Sequence, residues 1–75
     1  MTVEILTRER LSNGWVRFKG AVNGQTTVKG QQVGVRLPAA YVESVSASEA
    51  ESEVKDALCS EYERLSRGDG GAYAR

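Results

Sequence analysis

Trp15, Arg17 and Lys19 occupy alternate positions of the stretch WVRFKGAV. An aromatic ring beside two cations suits anion recognition: phosphates, nucleic-acid bases or the carboxylates of another protein. Alternate residues of a strand share a face, so these three stand together if the stretch is extended. Other chemistry-bearing residue types offer less. The chain has no histidine, which removes the usual general base at neutral pH, the usual metal ligand and the Ser–His pair. The one cysteine, Cys59, cannot form an internal disulfide and lacks the partners of a zinc site. It stands among Asp56, Glu61 and Glu63, not among the cations that activate a nucleophilic thiol, and is expected to be an ordinary surface cysteine. Glu49 and Glu53 are a carboxylate pair, but as first-turn residues of a helix they complement its dipole before they serve as acid and base. No glycine-rich phosphate motif occurs. RGDGGAY lacks the ligand spacing and final Glu of an EF-hand, and its Arg-Gly-Asp triplet is of a kind that arises by chance. The expectation is a protein that is not an enzyme and carries no cofactor and no metal.

The elements that position Trp15, Arg17 and Lys19 follow from the hydrophobic pattern. TVEILTRER (2–10) is β-prone throughout and predicts a strand with Val3, Ile5 and Thr7 on one face and Glu4, Leu6, Arg8 and Arg10 on the other. Ser12, Asn13 and Gly14 predict a turn. Residues 15–22 alternate, with Val16, Phe18 and Val22 inward and Trp15, Arg17, Lys19 and Ala21 outward. Asn23-Gly24 is the strongest hairpin signal in the chain. Residues 25–29 predict a third strand with Thr26 and Val28 on the apolar side. Residues 32–37 predict a fourth, shorter or irregular, with Val33, Val35 and Leu37 inward and Gln32, Gly34 and Arg36 outward.

Pro38 ends that strand and opens a short helical turn, PAAYVES. Ser46 and Ser48 are both candidate N-caps of a longer helix, with Glu49, Glu51 and Glu53 near its positive end. Ala50, Val54, Ala57, Leu58 and Leu65 form its apolar stripe, with Tyr62 at the edge and Glu51 and Glu61 near the margins. Arg64, Arg67 and Gly68 mark its end. The fold class expected is α+β: an antiparallel three- to four-stranded β-meander followed by one C-terminal amphipathic α-helix packed on one sheet face. Residues 1–67 form one small domain and 68–75 a flexible tail. At 75 residues the core is thin, and such chains often gain stability from a partner or from self-association. The chain opens on Met1 and reads as a complete small protein. A single cysteine and the lack of a signal segment suit a cytoplasmic location, and no apolar run is long enough to span a membrane.

The formal charge is zero, but it is unevenly laid out. Residues 1–42 hold six basic and two acidic residues, a net of +4; residues 43–75 hold four basic and eight acidic residues, a net of −4. On strict alternation Arg8, Arg10, Arg17, Lys19, Lys29 and Arg36 all point outward, giving a basic sheet and an acidic helix. Read functionally, this is a positively charged platform with Trp15 as anchor and the cations as electrostatic contacts. Read plainly, it is a solvated sheet face whose basic residues discourage edge pairing.

Three functions fit. A small protein-binding module would act by occupying a partner's surface through its basic sheet face or its acidic helix. In size and style such a protein resembles the compact inhibitors of phages and mobile elements, anti-CRISPR and other anti-defence proteins among them, although no motif identifies that group. A nucleic-acid-binding module would lay its sheet in the major groove. Residues 12–66, with the hairpin WVRFKGAVNGQTTVKG followed by an amphipathic helix, resemble the sheet-plus-helix layout of integrase arm-binding domains. That resemblance implies DNA contacts from strand Arg and Lys, whereas zero net charge and an acidic helix favour a protein partner. A structural or assembly subunit, including a homo-oligomer, is the third.

Overall fold

The structure, a computed structural model, describes residues 1–67. β1 (Val3–Arg10) and β2 (Trp15–Val22) form an antiparallel hairpin. Its turn uses Gly14 at φ +88°, with the Asn13 side-chain oxygen accepting a hydrogen bond from the Trp15 amide (3.2 Å). The next two strands are only two residues each: β3 (Thr27–Val28) pairs with β4 (Gln31–Gln32) and with nothing else. β5 (Gly34–Pro38) returns to β2, completing a three-stranded antiparallel sheet of order β1-β2-β5. Helix α1 (Ala39–Ser44) follows directly, and α2 (Ala47–Arg67) packs across the sheet. The expected α+β architecture, antiparallel sheet then C-terminal helix, is the one found.

The sheet differs from a plain four-stranded meander in two places. The first is the segment after Asn23-Gly24. Both residues have positive φ (54° and 79°), and reciprocal Val22–Gln25 hydrogen bonds of 3.0 Å close the turn. Pairing with β2 ends there. The free side of β2 goes instead to the more apolar strand, which sets Val35 opposite Phe18 and Leu37 opposite Val16. The bond from Gly20 N–H to the Val33 carbonyl (3.1 Å) carries that pairing on to a fully buried Val33. Residues 25–32 are left as a separate ribbon, turned by Lys29 and Gly30 at φ 53° and 82°. Val28 packs against the core, but Thr26 is exposed.

The second difference is a β-bulge in β1. Val3 and Ile5 stand opposite Val22 and Gly20, but the register then shifts, so that Thr7 opposes Lys19, Arg8 opposes Phe18 and Arg10 opposes Val16. Leu6 is the extra residue, and an extra residue reverses the alternation beyond it. Thr7 and Glu9 therefore face outward, while Arg8 and Arg10 lie on the helix side, opposite to the placement expected from strict alternation.

The core lies between the inner sheet face and the helices. Val16, Phe18, Val22 and Val33 meet Ala39 and Val42 of α1 and Ala50, Val54, Leu58 and Leu65 of α2. Tyr62 packs at the edge. Ser46 is the α2 cap: its hydroxyl oxygen accepts from the Glu49 amide (3.1 Å), whereas Ser48 lies inside the helix. Gly20 lets the helix sit this close, because a Cβ there would lie 2.5 Å from the Glu4 carbonyl oxygen and 2.6 Å from Leu58 Cδ1. The tail expected at 68–75 lies outside the described residues.

Candidate binding face of the sheet

The registers define the outer face. Trp15, Arg17 and Lys19 of β2 share it with Gly34 and Arg36 of β5 and with Thr7 and Glu9 of β1. Trp15 is 40% exposed, a high value for an aromatic of its size. Arg17 stands directly opposite Arg36. The bonds Gly20 N–H to Val33 O (3.1 Å) and Ala39 N–H to Gly14 O (2.9 Å) place the hydrogen-bonded pairs at the inner-facing residues. Arg17–Arg36 is therefore a non-hydrogen-bonded pair, the closer kind, with Cβ atoms about 5 Å apart. Like charges in that position are destabilising. Arg17 donates to Glu9 Oε1 across the other strand pair (2.6 Å), which offsets part of the repulsion, yet its Nε is buried and has no hydrogen-bond partner among the described residues. Lys19 and Arg36 form no ion pair among the described residues.

Lys19 faces Gly34 across the strands, and the missing side chain leaves a groove between them. Arg17, Lys19, Gln32, Gly34 and Arg36 line it. Gln32 and Gly34 were not singled out from sequence: a glutamine and a glycine carry no charge signal, and their part depends on which strand pairs with β2.

The other three basic residues leave this face. The Arg8 guanidinium lies over the Phe18 ring, 5.9 Å from its centroid, on the helix side. Arg10 pairs with Glu43 of α1. Lys29, turned out of the sheet by its positive φ, donates to the Ser66 carbonyl at the C-terminal end of α2 (3.1 Å). The basic platform thus contracts from six cations to three, Arg17, Lys19 and Arg36, with Trp15 beside them. The helix margins carry their own ion pairs, Glu51–Lys55 and Glu61–Arg64.

Arg8 also borders a cleft of about 650 Å³ between β1 and the helices, lined by Val3, Ile5, Phe18, Val45 and Val54. Arg8 reaches it only because of the bulge, which nothing in the sequence announces. Cys59 is half-buried, not exposed as expected, with its thiol 3.0 Å from the Met1 sulfur. Among the described residues no group of three or more Cys, Asp or Glu side chains is placed to hold a metal ion, and no helix is long and apolar enough to cross a membrane. Compared with known proteins, the chain matches no family model, no curated relative and no solved structure.

Proposed function

We propose that this chain is a non-enzymatic binding protein whose outer sheet face docks an acidic surface of a partner protein. Trp15 is the aromatic anchor, and Arg17, Lys19 and Arg36 supply the charge. The observation that carries this reading is the Arg17–Arg36 pair. Two guanidinium groups opposite one another, with Lys19 adjacent, cost folding stability and are relieved when an anion arrives. A protein with such a face and no catalytic constellation acts by occupancy, as an inhibitor of the phage or mobile-element kind would.

A carboxylate partner fits better than nucleic acid. Nucleic-acid affinity grows with the number of phosphates neutralised, and three cations on two adjacent strands make a compact spot, not a track. Arg8, Arg10 and Lys29, which an integrase-like reading would place on the DNA, are engaged elsewhere. The acidic helix repels phosphates, and a net charge of zero supplies no overall attraction to a polyanion.

The test is an NMR titration of the ¹⁵N-labelled chain with polyglutamate, duplex DNA, single-stranded DNA and RNA, each at low and at physiological salt. The expected result is that polyglutamate shifts Trp15, Arg17, Lys19 and Arg36, and that Arg17→Glu with Lys19→Glu removes the effect while the helical circular dichroism stays intact. Binding retained by that folded double variant removes the sheet face from consideration. A response to nucleic acid alone transfers the face to phosphate recognition.

A further inference from the structure

β5 is an edge strand: among the described residues no strand pairs with its far side. The hydrogen bonds that join it to β2 use Val33, Val35, Leu37 and Ala39. The N–H and C=O groups of Gly34 and Arg36 therefore point away from the sheet, and among the described residues nothing pairs with them. Pro38 has no N–H, so the open row stops there. The opposite edge, β1, is guarded differently: it is bulged at Leu6, a device that blunts strand addition. β5 has no bulge. Alongside it runs a shallow depression bordered by Trp15, Gly34, Val35, Arg36 and Glu61.

The geometry points to strand addition on β5: an extended acidic segment of a partner protein pairs antiparallel with Gly34 and Arg36 and sets carboxylates two residues apart on the outer face. The inference rests on the outer-face reading above and supplies the mode and the partner's local sequence. A carboxylate opposite Arg36 meets its guanidinium. A carboxylate opposite Gly34 crosses the glycine, where no side chain intervenes, and reaches toward Lys19 on the next strand. The residue between them falls on the inner face beside half-buried Val35 and is apolar. The motif is acidic–apolar–acidic, with main-chain bonds giving affinity and the alternate carboxylates giving specificity. A second copy of this chain is the wrong occupant. Antiparallel β5–β5 pairing centred on Val35 would put two sets of Arg17, Lys19 and Arg36 on one continuous face.

Three synthetic peptides test this on the whole chain: a Glu-Val repeat, the same repeat N-methylated at every Glu, and the same repeat N-methylated at every Val. In the proposed pairing the Glu amides face β5 and the Val amides face away. The Glu-Val peptide is expected to shift the Gly34 and Arg36 amides and slow their hydrogen exchange. Methylation at Glu is expected to weaken binding at least about tenfold, as the loss of two peptide hydrogen bonds implies, and methylation at Val to leave it unchanged. Equal binding by all three overturns strand addition while leaving the charged face in place. Binding by none, with the Lys19 and Arg36 side chains also unresponsive, overturns both. A doubled mass by light scattering with these two amides already protected assigns the edge to a second copy and also overturns the proposal.

Discussion

Gly20 is where sheet and helix come closest. Its missing side chain is the space that Leu58 fills, and Leu58 is itself fully buried. Gly20→Ala forces a methyl against a backbone carbonyl and a packed leucine, which is overpacking, and is expected to lower stability by about 1–3 kcal/mol in urea denaturation. An unchanged midpoint would mean that the helix does not sit against Gly20 as described. Most residues of β2 were legible in the sequence, because alternation over 15–19 leaves one face for Trp15, Arg17 and Lys19; Ala21, expected to be exposed with them, is buried. Arg36 was legible for the same reason. Arg8 and Arg10 were not. Leu6 is a good strand residue, and nothing in its type distinguishes a bulged position from a paired one. Lys29 was read as strand because a lysine at positive φ is uncommon, and only the ribbon's turn requires it.

The long helix was the most legible element. Its cap, apolar stripe and end are all local features, and Ser46, Ala50, Val54, Leu58, Leu65 and Arg67 fall where the pattern put them. The cap makes a direct prediction. Ser46→Ala removes the hydroxyl that accepts the Glu49 amide and is expected to cost about 1 kcal/mol in chemical denaturation, with Ser48→Ala nearly neutral. The reverse order would move the start of α2 by two residues. Strand order was less legible. Asn23-Gly24 does turn the chain, as its type demands, but whether the next segment joins β2 depends on a competition between strands. Residues 33–37 bring Val33, Val35 and Leu37 to the inner face, whereas 25–29 bring only Thr26 and Val28, and the more apolar strand takes the place. That comparison spans separate segments, so no local window contains it.

Over the whole molecule, the charge division between the two halves of the chain is only partly a division between surfaces. Arg10 is spent on Glu43 of α1 and Lys29 on the end of α2, so these basic residues tie the sheet and ribbon to the helices. What remains on the outer face is a small concentration of cations in which two arginines oppose each other, beside an open edge strand. A surface arranged only for stability would set an acid on the β5 side of Arg17 as well, as Glu9 stands on its β1 side. The most direct measurement is therefore the folding stability of Arg36→Glu, by urea denaturation at low and at high salt, paired with titration of the Glu-Val peptide. The prediction is a variant more stable than the parent by about 0.3–1 kcal/mol at low salt, less so at high salt, that no longer binds the peptide. A variant that is less stable than the parent, or that binds the peptide as well as the parent does, would contradict the reading of Arg36 as a residue held for a partner.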